Sequence, residues 1–217
     1  MAIIYFPACK VTAKHPEISQ RMLAYLQSRF EGLQIAGCCK GKGSLTDITP
    51  EDTVIYVCTM CAMFVKDGSA AQKVVSIWEI IDADESFAFP SHAGRSLTIQ
   101  DCWRLPDETE LHDTVRSLLG KMGCEVTELV KNRASSDYCG TFLYNPNVTK
   151  FARLSTRIAE HQDQFFQPHT DDELAEKMQA HAELFTTNEV ACYCSACLDG
   201  FADGDLAAWH LFQLIFG

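Results

Sequence analysis

Apolar residues in this chain fall into two alternating rhythms. The stretches "MAIIYF", "TVIYVC" and "SLTIQDC" are short, apolar and rich in β-branched or aromatic residues, which predicts buried strands. Between them the apolar positions recur at helical spacing. From Pro16 onward, Ile18, Met22, Leu26 and Phe30 mark one face of a helix, with proline suited to its first turn. Leu111, Val115, Leu118, Leu119 and Met122 mark another, opened by Pro106, Asp107 and Glu108, where acids suit the helix dipole. Val74, Val75, Ile77, Trp78 and Ile81 predict a further helix. A long helical region is expected from Lys150 to Leu184, broken at Pro168. The apolar C-terminal stretch "DLAAWHLFQLIFG", with Trp209 and His210, reads as a packing helix, in the core or as a docking face for another subunit.

Alternation of strands and helices predicts an α/β fold with mainly parallel sheets. The pattern breaks at "FAFPSHAGRS", so the expected organisation is two pseudo-repeated α/β units, residues 1–90 and 91–217. The second carries a helical insert over about residues 150–188.

The repeat is also written in cysteine. The chain has 11 of them in 217 residues, a usage that points to metal or redox chemistry in a reducing compartment. In the first half "YFPAC", "GCCKGKG" and "CTMC" place Cys9, Cys38, Cys39, Cys58 and Cys61. In the second half "QDC", "YCG" and "CSAC" place Cys102, Cys139, Cys194 and Cys197 in the same order, with Tyr138 where a paired cysteine would stand. Cys9, Cys58 and Cys102 follow strands. The C-terminal ends of parallel strands form one rim where ligands bind, so each half is expected to gather its cysteines into a site there. Cys192 and Cys124 fit no ligand position and read as small buried hydrophobes.

Charge and hydropathy narrow the partners. A formal charge of −11 argues against nucleic acid, which needs a basic footprint. No apolar run reaches the length of a membrane span, and the first residues show no leader, so a cytoplasmic location is expected.

Four thiolates suit zinc or a cubane cluster. Five suit a larger cluster, or four ligands and one free thiol. A metal-free dithiol at "CTMC" is a further reading, since C-x-x-C after a strand also suits redox cysteines. Near Cys102 stand His92, Arg95, Asp101, Trp103 and Arg104. His92 is a candidate proton donor and Arg104 a candidate anion-holding residue for catalysis. Lys40 and Lys42 are candidates to offset thiolate charge.

Both halves resemble the cysteine-rich CCG domain of the heterodisulfide reductase-like family of iron–sulfur proteins. That family also includes components of glycolate oxidase, lactate-utilisation proteins and certain archaeal-type succinate dehydrogenases. Its pattern is a cysteine, a distant Cys-Cys-Gly and a C-x-x-C, usually twice. The first half matches with Lys40 in place of the glycine, and the second with Tyr138 in place of one cysteine. The resemblance implies a noncubane [4Fe–4S] cluster on Cys9, Cys38, Cys39, Cys58 and Cys61. It implies a second [4Fe–4S] cluster or zinc on Cys102, Cys139, Cys194 and Cys197. It further implies a heterodisulfide reductase-like oxidoreductase acting on a thiol, disulfide or related small sulfur compound. The chain has neither a ferredoxin-type cysteine run nor a GxGxxG fingerprint, so electrons are expected from a ferredoxin-like or flavoprotein partner. The alternative is a zinc- or cluster-stabilised non-catalytic component of a larger redox complex.

Overall fold

The computed structural model describes the 217-residue chain apart from Lys42, Ser44, Asp203, Gly204 and Asp205. The chain divides into two units. Unit 1 comprises Met1–Ser86 with Phe216–Gly217, and unit 2 comprises Phe87–Ile215. Each holds a four-stranded, all-parallel sheet flanked by helices.

In unit 1 the strands are β1 (Ile3–Phe6), β2 (Gln34–Ile35), β3 (Thr53–Tyr56) and β4 (Lys73–Ser76). They lie in the order β2-β1-β3-β4. Val54, Ile55 and Tyr56 of the central β3 are buried, as expected of a parallel strand covered on both faces. The helices are α1 (Cys9–Lys14), α2 (Pro16–Arg29), α3 (Thr59–Gly68) and α4 (Ile77–Ala83). On α2, Met22 and Leu26 of the expected stripe are buried. Val74 and Val75 belong to β4 rather than to a helix. The helix starts at Ile77, where Ser76 and Glu79 form a reciprocal capping box. Two β-branched residues beside a cap share an apolar run with the helix that follows, and spacing alone merges them.

Unit 2 repeats the plan with β5 (Ser96–Gln100), β6 (Glu125–Glu128), β7 (Glu189–Cys192) and β8 (Ala207–His210), in the order β6-β5-β7-β8. Helix α5 (Thr109–Lys121) connects β5 to β6 and buries Leu111, Val115, Leu118 and Leu119. Between β6 and β7 come 3₁₀ turns at Gly140–Tyr144 and Pro146–Leu154, then α6 (Thr156–Phe165) and α7 (Asp171–Ala182). The break between α6 and α7 spans Pro168, as expected. The last elements are α8 (Ser195–Phe201) and α9 (Leu211–Phe216). Trp209 and His210 lie in β8 rather than in a packing helix.

In both sheets the first strand is flanked by the second on one side and the third on the other. The chain therefore leaves β1 and β3, and likewise β5 and β7, toward opposite sides, which opens a crevice at their C-terminal ends. Parallel register aligns Phe6 with Tyr56 and Gln100 with Cys192, so the residues that follow each pair arrive at one place.

Candidate metal centre

Those following residues are cysteines. Cys9 comes three positions after the end of β1 and Cys58 two after β3. Cys102 and Cys194 each come two positions after β5 and β7. Each C-x-x-C straddles a helix start: Cys58 is the N-cap of α3 and Cys194 the N-cap of α8. N-cap and N3 side chains meet over the first turn, which brings Cys61 beside Cys58 and Cys197 beside Cys194. Unpaired N–H groups at a helix start also favour thiolate there.

In unit 2 the four sulfurs of Cys102, Cys139, Cys194 and Cys197 all lie within 4.8 Å of one another and are buried. Cys102 and Cys139 are 3.6 Å apart, and Cys139 and Cys194 are 3.7 Å apart. Four sulfurs bound tetrahedrally to one zinc at 2.3 Å would stand about 3.8 Å from each other. The observed spacings fit a single ion.

Charge in this site is shared unequally. Burial works against Cys194 ionising. Hydrogen bonds from Cys102, Cys139 and Cys197 and the charge of Arg104 outweigh it and hold Cys194 well below the usual thiol range. Burial, reinforced by bonds to the neighbouring sulfurs, pushes Cys139 and Cys197 well above it. Arg104 Nη1 donates to Cys194 Sγ at 3.2 Å, and its guanidinium lies 3.9 Å from the Phe142 ring centroid. Arg104 thus reaches the thiol site and is 3% exposed, sealed against a candidate ligand rather than facing solvent.

The frame around this site is built largely from residues that the cysteine pattern does not single out. Asp101, preceding Cys102, accepts from both terminal nitrogens of Arg116 at 3.0 and 2.7 Å, from the Arg133 amide at 2.6 Å and from the Tyr193 hydroxyl at 3.0 Å. The Tyr193 oxygen accepts from the Cys102 amide at 3.2 Å. Burial opposes the Asp101 charge, but Arg116 more than offsets it and keeps the carboxyl below its ordinary value. Gly140, after Cys139, has φ +56°, and a Cβ there would overlap the Ala196 carbonyl oxygen. Only glycine lets the two ligand-bearing loops approach this closely. Tyr138 fills the position of the missing cysteine, with its ring stacked 3.5 Å from that of His181 at 5°.

In unit 1 the five thiols lie in a more open setting, and among the described residues they form no compact four-sulfur group like that of unit 2. Cys39 and Cys61 are buried, Cys58 is half-buried, and Cys9 and Cys38 are exposed. The adjacent pair points two ways: Cys38 bonds Cys9, while Cys39 Sγ lies 3.4 Å from Cys61 Sγ. Burial, then the charges and hydrogen bond of neighbouring thiols, raises Cys9. The bond from Cys61 lowers Cys39, with the Lys40 ammonium helping, and the same bond raises Cys61. Ala8, before Cys9, is itself left-handed at φ +60°, so the chain turns sharply to deliver that thiol.

Other expected site residues lie elsewhere. His92 precedes β5, at the end of the strand opposite Cys102, and its Nε2 binds the Leu214 carbonyl at 2.8 Å. In that place it ties the loop before β5 to α9. Arg95 also lies at that opposite end, where Glu189 holds it at 2.7 Å and Trp209 lies 4.6 Å beneath it. Lys42 lies outside the described residues. Cys192 is buried and its thiol raised, chiefly by burial; Cys124 sits at the corner between α5 and β6. No helix is long and apolar enough to cross a membrane among the described residues. Neither a protein-family model nor a curated protein matches the chain.

Proposed function

We propose that this chain is a heterodisulfide reductase-like iron–sulfur redox protein with two unlike centres. Unit 1 holds a noncubane [4Fe–4S] cluster on Cys9, Cys38, Cys39, Cys58 and Cys61. Unit 2 holds one zinc on Cys102, Cys139, Cys194 and Cys197, for structure. What supports the reading is the 3.4 Å contact of Cys39 with Cys61 after two strands of one sheet, with Cys9 bonded to Cys38 on the exposed side.

A bound cluster would supply one-electron redox chemistry there. The residues define what reaches it. Cys39 and Cys61 form the buried floor and Cys9 and Cys38 the solvent face. Lys40 places a positive charge beside Cys39 that offsets thiolate charge. A small disulfide approaching the open side would take two electrons and two protons to give two thiols, the electrons coming from a ferredoxin-like or flavin-containing partner.

Anaerobic purification with iron, zinc and sulfide analysis tests this. The expected result is a brown protein with about four irons, four sulfides and one zinc per chain. Cys39→Ser should lose the colour and iron and keep the zinc. The 3.6 and 3.7 Å sulfur spacings also favour a second reading, a zinc-stabilised non-catalytic component of a larger complex. A colourless protein containing zinc alone would establish it and overturn the first.

A further inference from the structure

Unit 2 carries a concavity that the metal chemistry does not use. Its volume is about 560 Å³, within the range of roughly 300–1,000 Å³ typical of small-molecule sites. Its lining comes from the loop after β6, the segment entering Cys139, the Gly140–Tyr144 turn, the end of α6, and α7.

One wall is flat and rigid. Tyr138 lines the cavity, is 3% exposed, and is backed by the parallel His181 ring. Gln100 fixes that imidazole. The Gln100 amide nitrogen donates to the Asp101 carbonyl at 2.7 Å and the Ser136 hydroxyl at 3.2 Å, so its oxygen accepts from His181 Nε2 at 2.6 Å. Burial pushes the His181 pKa down to about 4, so the ring is neutral at pH 7 and adds no charge. Leu129, Phe165 and Leu184 complete the apolar surface. Val130 and Leu184 remain 100% and 58% exposed, an apolar rim that a ligand body would cover.

The polar groups are of one dominant sign. Lys131 and Lys177 face one carboxylate, Asp137, in a chain of net charge −11. Lys131 pairs with Asp137. Lys177 lies 5.2 Å from the Tyr144 ring centroid. Glu173, one turn earlier on α7, also feels Lys177, but it accepts from the Thr170 amide at 2.8 Å in the helix cap. With Lys131 taken up by Asp137, Lys177 is the cation this aromatic-walled recess offers on an acidic protein.

We propose that this recess binds a small planar aromatic monocarboxylate, its ring packed beside the Tyr138–His181 stack and its carboxylate at Lys177. The inference stands apart from the redox reading, because none of these groups is a metal ligand.

Isothermal titration of the full-length protein with its native metals, using naphthalene-2-carboxylate and naphthalene-2-carboxamide, tests it. The carboxylate should bind one to one and about tenfold more tightly than the amide, the worth of one charge-assisted contact. Lys177→Met should erase that tenfold advantage and leave amide binding unchanged. Ala180→Trp, which fills the recess from α7, should abolish both. Metal content and melting temperature serve as controls for folding, and both substitutions are at exposed helix positions. Equal affinity for the two probes, no saturation by either, or carboxylate binding that survives Ala180→Trp would each overturn the proposal.

Discussion

The two cysteine sites share a scaffold and differ in how they treat water. Both follow the first and third strands of a sheet of identical order, and both place a C-x-x-C across a helix start. In unit 2 all four sulfurs are buried beneath an arginine, an aromatic stack and a glycine-mediated loop contact. In unit 1 two of five remain exposed. A closed, four-sulfur site suits a metal that holds a fold, and an open, sulfur-rich one suits a centre that exchanges electrons or substrate. The same backbone crevice thus carries both cysteine sets, and the side chains over it set how far each is exposed.

The largest effect should come from removing a ligand on each side. Cys139→Ser, which breaks the buried four-sulfur group, is expected to destabilise unit 2 by about 4 kcal/mol or more and, on the proposed reading, to lower zinc content. Cys38→Ser, at an exposed position, should change stability by under about 1 kcal/mol while altering any visible spectrum. Thermal unfolding with metal analysis reads both. Equal destabilisation by the two substitutions would break the contrast.

Next comes the glycine contrast. Gly140→Ala forces a Cβ into the Ala196 carbonyl at φ +56°, and should cost roughly 3 kcal/mol or more in denaturant titration. Gly37→Ala, beside the unit 1 pair, meets nothing within 4 Å and should stay within about 0.5 kcal/mol.

The smallest effect concerns acid. His181 has its pKa lowered from 6.5 to about 4, mainly by burial, with Asp137 opposing. The unfolded chain therefore binds the proton first. Stability is intact above pH 6.5 and declines as pH falls toward 4, by at most about 3 kcal/mol. Hydrogen exchange should locate this slope in unit 2, and His181→Gln should flatten it.

Much of this arrangement was legible in the order of residues, for a physical reason. The strands before Cys9 and Cys58 are near-continuous apolar runs because parallel strands are covered on both faces, and such runs need no partner to be recognised; the one before Cys102 shows itself by Leu97 and Ile99 among β-forming residues. Helix α2 and helix α5 declare themselves by their buried stripes. The edge strands do not. Gln34 and Ile35 of β2 are exposed, so no burial pattern marks them, and β4 merges into the apolar run of α4. The four cysteines of the buried unit 2 group could be named from spacing. Their burial could not, since it rests on contacts such as that of Arg104 with Cys194, 90 positions away, and of Tyr193 with Cys102, 91 positions away. The nearness of His92 to Cys102 in sequence spans the full length of β5 in space.

Tyr138 also bears on how such a protein could change. Its ring occupies the volume beside Cys139, and Gly200 has no side chain where a Cβ would lie 2.6 Å from the Tyr138 hydroxyl. Tyr138→Cys alone would leave a hollow between Met178, His181 and Phe201 rather than a fifth ligand. Regaining a paired thiol would need several simultaneous repairs, each deleterious by itself. Packing thus acts as a ratchet that commits the second half to four site cysteines rather than five.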